Sequence, residues 1–231
     1  MISEVSRQES GTRVGGTRLP RHIGLIPDGN RRWARARGLP SAAGYAAGVG
    51  PGLRLLECAE AAGIEDVTAY GYTKENVCRP RDQVRAFERA CIDLAELAMA
   101  RGTALLVVGD VGSRRFPDVL RPWAYQRSPG RLRFNLVVNY NWQWDLAHAL
   151  RTASRGPYIT SKPGSILGSS VIPRIDLVVR WGGRHRLSGF LPIQCAYADF
   201  YAVDALWPDM QPTSFQDALR WYARQEITLG G

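Results

Sequence analysis

Five short apolar runs alternate with stretches of helical periodicity, and that alternation confines the chain to an α/β architecture. The runs cover residues 23–26, 67–70, 104–108, 134–138 and 177–179, and the helical patterns cover roughly 41–62, 83–101, 114–125, 143–154 and 213–225. Strands separated by helices of this length build βαβ units. Runs that are apolar throughout belong to strands covered on both faces. The pattern predicts a single domain with a central, mostly parallel sheet flanked by helices, and 231 residues suffice for its core.

Nearly every run ends in a polar cluster: PDGN, GYTKEN, GDVG, NYN and RWGGRHR, in chain order. Ligands of open parallel sheets bind at the carboxyl ends of the strands. Turns alone account for Gly, Asn and Asp there. The arginines and carboxylates are in excess of what turns require, and they point to a site along one rim.

The densest cluster is HIGLIPDGNRRWARAR, residues 22–37. An apolar run stops at Pro27-Asp28-Gly29-Asn30, and an arginine-rich helix begins at once. A helix N-terminus offers unpaired N–H groups and positive potential. Gly29 lets a ligand approach the backbone, and Arg31, Arg32 and Arg35 add charge-assisted forks for phosphate oxygens. Asp28 repels a phosphate unless a divalent cation lies between them. A diphosphate with a hard metal such as magnesium satisfies all of these groups; a capped surface helix with a solvated basic face satisfies them as well.

A second cluster is DLVVRWGGRHRLSGF, 176–190. Arg180, Arg186 and Ser188 around a Gly-Gly turn suit a second diphosphate, or bonds to local carbonyls. Downstream, Asp199 falls in an aromatic, apolar run where a lone carboxylate is costly. Either a metal or an arginine partner removes that cost. A third cluster, YGYTKENVCRP (70–80), places Thr73, Glu75 and Asn76 on a loop before Arg79. Asn76 suits orienting a substrate and Glu75 suits holding an arginine; a capping loop is the plainer reading. His22, His148 and His185 have no metal-ligand spacing.

The net charge of +9 makes nucleic acid worth weighing, but only Lys74 and Lys162 among the 30 basic residues are lysines. The arginines sit at strand ends rather than along an exposed face, which argues against a nucleic-acid partner. Cys58, Cys78, Cys91 and Cys195 are widely spaced, as in reduced cysteines of a cytoplasmic protein. No apolar run approaches the roughly 20 residues of a transmembrane helix. Residues 1–20 lack the apolar centre of a signal peptide and read as a disordered lead-in. The Gly/Ser/Pro-rich stretch 155–173 reads as a mobile loop.

These segments, in this order, resemble the cis-prenyltransferases, the undecaprenyl diphosphate synthase family. HIGLIPDGNRRWA is similar to its first signature, VTAYGYTKENVCRP to its loop signature, NYNWQWD to its Asn-Tyr…Trp-Asp segment, and DLVVRWGGRHRLSGFLPIQCAYADFYAVDALWPD to its long C-terminal signature. The likeness spans residues 21–231. It implies an α/β domain with a hydrophobic tunnel, a homodimer, and magnesium-dependent condensation of isoprenyl diphosphates. It implies that Asp28 is catalytic and binds magnesium, and that Gly29, Asn30, Arg31 and Arg32, with Trp33 in the same signature and Tyr45 beyond it, bind the allylic substrate. Arg180, Arg186 and Ser188 hold the second diphosphate, Thr73, Glu75 and Arg79 contact substrate, and Asn76 stands near the reacting carbons. Asp199 occupies the position of a metal-binding Glu.

The departures from that pattern bear on the product. Ser41 and Tyr45 stand where the family has an Arg and a His. Val77 replaces a loop Trp, Trp181 and Arg184 replace a Thr/Ser and a Glu, and Asn141-Trp142-Gln143 replaces Gly-Gly-Arg. Helix 83–101 is about one turn short, and QEITLGG replaces a basic C-terminal segment. These changes resemble the lavandulyl-type, head-to-middle branch of bacterial secondary metabolism. Dimethylallyl diphosphate there condenses with an allylic diphosphate such as geranyl diphosphate. A regular head-to-tail synthase using isopentenyl diphosphate is the alternative. A non-catalytic subunit of a two-component prenyltransferase is a third reading, which the retained Asp28 opposes.

Overall fold

The computed structural model describes residues 12–14, 17–124, 126–154 and 163–226. Two short strands, β1 (Thr12–Val14) and β2 (Thr17–Leu19), pair antiparallel, where composition predicts a structureless lead-in. The anchor is Arg18, whose guanidinium lies 3.9 Å over the Tyr222 ring and donates to the Gln225 carbonyl. Residues 1–11 of that lead-in lie outside the described residues.

Six strands form the central sheet: β3 (His22–Ile26), β4 (Asp66–Tyr70), β5 (Ala104–Val108), β6 (Arg133–Val137), β7 (Leu177–Trp181) and β8 (Asp199–Val203). Their order is β5-β6-β4-β3-β7-β8, and every pairing is parallel. The five expected strands are present to within a residue or two. β8 is additional: its run carries Asp199 and two aromatics, so it does not read as a simple apolar strand. The chain leaves β3 toward β4 on one side and leaves β7 toward β8 on the other. That makes the crevice beyond β3 and β7 a topological switch point, where ligands of open α/β sheets bind.

The helices are α1 (Asn30–Ala36), α2 (Ala43–Ala47), α3 (Val49–Ala61), α4 (Arg81–Ala100), α5 (Trp142–Ala153) and α6 (Pro212–Ala223). The single helix predicted over 41–62 is broken at Gly48. A Cβ there would sit 2.8 Å from both Asn30 Oδ1 and the Trp207 ring, and the Gly48 carbonyl accepts from Trp207 Nε1 at 2.9 Å. The helix predicted over 114–125 is a 3₁₀ turn, Asp118–Ala124, with Pro122 inside it; proline removes a helical donor. Of the expected loop 155–173, residues 155–162 lie outside the described residues, and Pro163–Ile166 forms a 3₁₀ turn.

Both sheet faces are covered. On one, Ile23, Leu25, Val67 and Val179 pack with Leu55, Ala95 and Phe215; on the other, Ile26, Val108 and Val178 pack with Tyr140, Phe190 and Cys195. On that second face, buried Asp145 of α5 accepts from the Ser169 backbone N–H at 2.9 Å, Ser169 Oγ at 2.5 Å and Tyr140 Oη at 3.2 Å. This ties α5 to the segment that follows it. The outer stripe of α5 exposes Trp142, Leu146 and Leu150. Cys91 and Cys195 are buried, whereas Cys78 is exposed and all four cysteines are free. Among the described residues, no helix is long and apolar enough to cross a membrane.

Candidate active site

The strand ends of β3, β4 and β7 converge on a cleft of about 550 Å³, within the usual range for small-molecule sites. Seven arginines line it, Arg31, Arg32, Arg35, Arg79, Arg180, Arg184 and Arg186, against two carboxylates, Asp28 and Glu75. Such an excess of cations around one recess suits an anion carrying several charges.

The floor begins with the turn after β3. Gly29 caps α1 in a left-handed conformation, φ 107°, without a side-chain cap, so the first N–H groups of α1 are not taken by a capping side chain. A Cβ at Gly29 would come within 2.8 Å of Leu206, which is why glycine stands there. The Asp28 carbonyl accepts from Trp207 N at 3.0 Å, and Gly182 N donates to the Ala205 carbonyl at 2.9 Å. Both turns are thereby fixed to the segment after β8. Asn30 donates to the Pro27 carbonyl at 3.1 Å and closes its own turn.

Arg180, at 5% exposure, organises the opposite wall. One Nη donates to Asp28 Oδ2 at 2.8 Å; the other donates to Ser188 Oγ at 2.9 Å and to the Arg186 carbonyl. Arg32 donates to the Gly182 carbonyl at 2.8 Å and lies 3.5 Å from Asp28 Oδ1. Burial pushes the Asp28 carboxyl up, but the Arg180 hydrogen bond and charge, with Arg32, outweigh it and hold the pKa below the usual range. Asp28 therefore stays ionised. Ser188 adopts φ 53°, and its carbonyl accepts from Tyr70 Oη at 3.3 Å. With Arg180 committed to the protein, the exposed Arg184 and Arg186 are the cations of this wall that form no ion pair among the described residues.

The third wall is the turn Lys74–Cys78. Asn76 Oδ1 accepts from Thr73 N at 3.3 Å, which leaves the amide nitrogen as the donor end. Lys74 pairs with Asp110 at 2.5 Å and its N–H donates to the Tyr140 carbonyl, pinning the loop to the sheet. Behind Tyr45 and Phe87 lies an apolar cavity of about 40 Å³, bounded by Gly48, Val49, Ala69, Ala90, Cys91, Leu94, Leu136 and Trp207.

Residues 26–230 match the Prenyltransf family model, described as "Putative undecaprenyl diphosphate synthase". The chain belongs to the cis-prenyltransferase family. The ditrans,polycis-undecaprenyl-diphosphate synthase of Pectobacterium atrosepticum, specific for (2E,6E)-farnesyl diphosphate, is 34% identical over 229 residues, covering 92% of this chain and 90% of the relative. The synthase of the same description from Pseudomonas aeruginosa is 33% identical over 235 residues, covering 92% and 91%. The crystal structure of lavandulyl diphosphate synthase from Lavandula x intermedia with dimethylallyl diphosphate superposes with a TM-score of 0.81 at 25% identity, covering 92% of this chain and 99% of that one. This chain is thus an enzyme, a prenyl diphosphate synthase of the cis-prenyltransferase type.

In this prenyltransferase Asp28, Gly29, Asn30, Arg31, Arg32, Tyr45, Thr73, Glu75, Asn76, Arg79, Arg180, Arg186 and Ser188 all line the cleft. Two expected residues do not. Trp33 points away from the cleft: its Nε1 donates to Asp209 at 2.7 Å, and Arg37 stacks 4.3 Å over its ring. At about 100° per residue, Trp33 falls on the face of α1 opposite Arg31 and Arg35. Asp199 opens β8 level with Leu177, while Arg180 is level with Ile26 beside the Asp28 turn. At ~3.3 Å per residue that is about 10 Å short of the rim. Asp199 pairs with Arg18 at 3.6 Å, the arginine solution to its cost, so one chain does not bring Asp28 and Asp199 together. Glu75 is exposed and forms no ion pair among the described residues, so it does not hold a loop arginine.

Sequence reasoning passes over Tyr70, Gly71 and Phe87, which also line the cleft. Tyr70 follows from its place as the last residue of a strand whose end faces the rim. Phe87 sits on a helix of amphipathic pattern and carries no signal that separates it from core.

Proposed function

We propose that the cleft binds two isoprenyl diphosphates and joins them into a short-chain product, with magnesium as cofactor. The observation that carries this is the pairing of an arginine-rich cleft around Asp28 with an apolar cavity of only about 40 Å³ behind it. The charged part suits two diphosphate heads, and the small apolar recess behind it, once widened at its mouth, suits a short tail rather than a long one.

The donor set fits magnesium. No cluster of three or more His, Cys, Asp or Glu able to hold a metal exists among the described residues. Magnesium commonly takes one or two carboxylates and completes its shell with water and substrate phosphates. Asp28 supplies that carboxylate, facing the cleft from a fixed turn. When bound, the metal neutralises diphosphate oxygens as a Lewis acid.

The chain's own residues do the rest. Breaking the allylic C–O bond sends its electron pair onto the departing diphosphate. Arg31, Arg32 and Arg35 stabilise the charge that grows there, as preorganised cations. The double bond of the second substrate forms the new C–C bond, and a proton leaves. Arg184, Arg186 and Ser188 hold the second diphosphate so that its double bond faces the first substrate. Asn76, with its oxygen committed to Thr73, orients the reacting groups through its NH₂. Tyr70 and Phe87 wall the site with apolar rings that limit access of water.

The bond-forming mode divides into two readings. The curated relatives above are regular undecaprenyl-diphosphate synthases, and their agreement along most of the chain favours head-to-tail addition of isopentenyl diphosphate. Head-to-middle addition of dimethylallyl diphosphate to geranyl diphosphate is favoured by Tyr45, Ser41 and Arg184 at positions of altered charge, and by the likeness to lavandulyl diphosphate synthase. Product analysis separates them. Purified protein with magnesium receives dimethylallyl diphosphate alone, then with geranyl diphosphate, then with isopentenyl diphosphate, and the alcohols are identified by gas chromatography–mass spectrometry. Linear products that require isopentenyl diphosphate establish the first mode. A branched alcohol formed without it establishes the second. No condensation with any pair would remove the proposed function.

A homodimer completes this reading. The exposed Trp142–Leu146–Leu150 stripe of α5 is the surface we assign to a second copy.

A further inference from the structure

Tyr45 and Phe87 stand between the charged cleft and the apolar cavity, with Arg79 on the cleft side. Tyr45 borders both spaces and is 3% exposed. Its ring stacks on Phe87 with centroids 4.6 Å apart and planes 14° from parallel. Its hydroxyl oxygen accepts from Arg79 Nη1 at 2.7 Å. The same guanidinium lies 5.7 Å from the Phe87 ring centroid, and Phe87 meets Tyr72 edge-on at 6.2 Å. Phe87 is therefore held from two sides, and Tyr45 from one hydrogen bond and one ring face.

The cavity behind this partition is too small for a substrate tail as it stands. Its 40 Å³ is room for about three water-sized groups at roughly 10–15 Å³ each, whereas a geranyl tail has ten carbons. Gly48, Val49, Ala69 and Ala90 give the wall behind backbone and short side chains, and Cys91, Leu136 and Trp207 beside them are buried in the core, so that wall has little freedom to retreat. Three large side chains border both spaces, Tyr45, Tyr70 and Phe87; Tyr70 is held by the Ser188 carbonyl and packs on Phe190 and Tyr140, which leaves Tyr45 as the one whose rotation enlarges the space.

Arg79 is what holds it. The guanidinium is half-buried, and its hydrogen-bond partner is a neutral phenol, although it faces a cleft built for anions. Hydrogen bonds to a charged oxygen are roughly twice as strong as those to a neutral one. A diphosphate entering the cleft therefore outcompetes the phenol for Arg79.

We propose that Tyr45 is the residue through which the enzyme reads the head group of its allylic substrate: a diphosphate draws Arg79 off the hydroxyl, and only then does the ring leave Phe87 and admit the prenyl tail. Prenyl alcohols, which cannot recruit Arg79, are excluded by the same contact. The inference rests on the cleft being a diphosphate site.

Splitting the ligand tests it. Geraniol is titrated calorimetrically into the protein with and without saturating inorganic pyrophosphate. Pyrophosphate is expected to tighten geraniol about tenfold, inside the usual range for linked sites. In Tyr45→Phe the stack stays and the latch goes, so geraniol should bind alone as tightly as it does to wild type with pyrophosphate, and the coupling should vanish. Direct contact between geraniol and pyrophosphate would preserve the coupling in Tyr45→Phe and would overturn the proposal. Equal geraniol affinity in wild type with and without pyrophosphate would overturn it too, as would no geraniol binding in either condition. Failure of pyrophosphate itself to bind would overturn the diphosphate reading along with it, which separates the two failures. Thermal melting of the variant establishes that it is folded.

Discussion

Asp28 Oδ2 and Arg180 Nη2 meet at 2.8 Å across the switch point of the sheet, joining the turn after β3 to the end of β7. The pair both builds the cleft and arms it. Arg180 keeps the carboxyl ionised, and the carboxylate keeps a buried guanidinium from standing alone. Removing one partner of such a pair costs more than the pair itself contributes, because a desolvated charge is left behind.

Asp28→Asn retains shape and a neutral acceptor for Arg180. Turnover is expected to fall about 10²–10³-fold, the usual loss for one preorganised electrostatic group, with only a small change in melting temperature. Asp28→Ala should lose as much turnover and melt several degrees lower. Condensation rates and circular-dichroism melts check both, and wild-type turnover in Asp28→Asn would remove the residue from the chemistry.

Gly182 has φ 87°, and a Cβ there would lie 2.5 Å from Arg32 Nη2 and 3.0 Å from the Asp28 carbonyl oxygen. Gly182→Ala is expected to destabilise the fold by about 1–2 kcal/mol through the left-handed conformation alone. It should also displace Arg32, and so weaken pyrophosphate binding by about tenfold, on the scale of one charge-assisted hydrogen bond. Urea unfolding and calorimetry report the two effects separately.

His22 gives a pH dependence of stability. It is 2% exposed; Nδ1 lies 3.0 Å from the Arg174 carbonyl and Nε2 2.7 Å from Thr68 Oγ1. A carbonyl only accepts, so Nδ1 carries the proton and Nε2 accepts from Thr68. Burial lowers the imidazole pKa, against a smaller raising effect from Asp66. The unfolded chain, titrating near 6.5, therefore binds more protons than the folded one below that pH. The contribution of neutral His22 is fully present above about 6.5 and is lost as pH falls toward the lower folded value. Urea midpoints across this range should decline on the acid side in wild type and decline less in His22→Gln.

The α5 stripe is the surface proposed for a second copy. Leu146→Glu with Leu150→Glu places charges on an exposed apolar face without touching the core, so the fold should survive and a dimer should not. Sedimentation velocity would show wild type at twice the mass of the variant. A monomeric wild type would dismiss the assigned surface.

The strands and most helices are legible because apolar runs and helical periodicity are local signals. So is most of the site, since the polar clusters sit at strand ends and a parallel sheet gathers those ends on one rim. What escapes is pairing. Nothing near Asp199 says that Arg18 reaches it, and nothing near Trp33 says that Asp209 turns it from the cleft. Arg180 reads as a ligand residue because its sequence neighbours are polar; only the fold reveals that its forks are already occupied. Gly48 looks helical in a window of small residues until Trp207 packs on it. The Tyr45–Phe87 stack joins two helices that share no sequence signal.

The sheet order has a further consequence for how the enzyme is born. β3 is the first strand of the sheet to leave the ribosome, yet one of its neighbours, β7, is among the last. The cleft closes only when Asp28 finds Arg180, 152 positions away along the chain. Pairings that distant slow folding. A nascent chain lacking β7 has its first signature in full and no second wall to face it, so the ability to capture a diphosphate arrives late in synthesis and all at once.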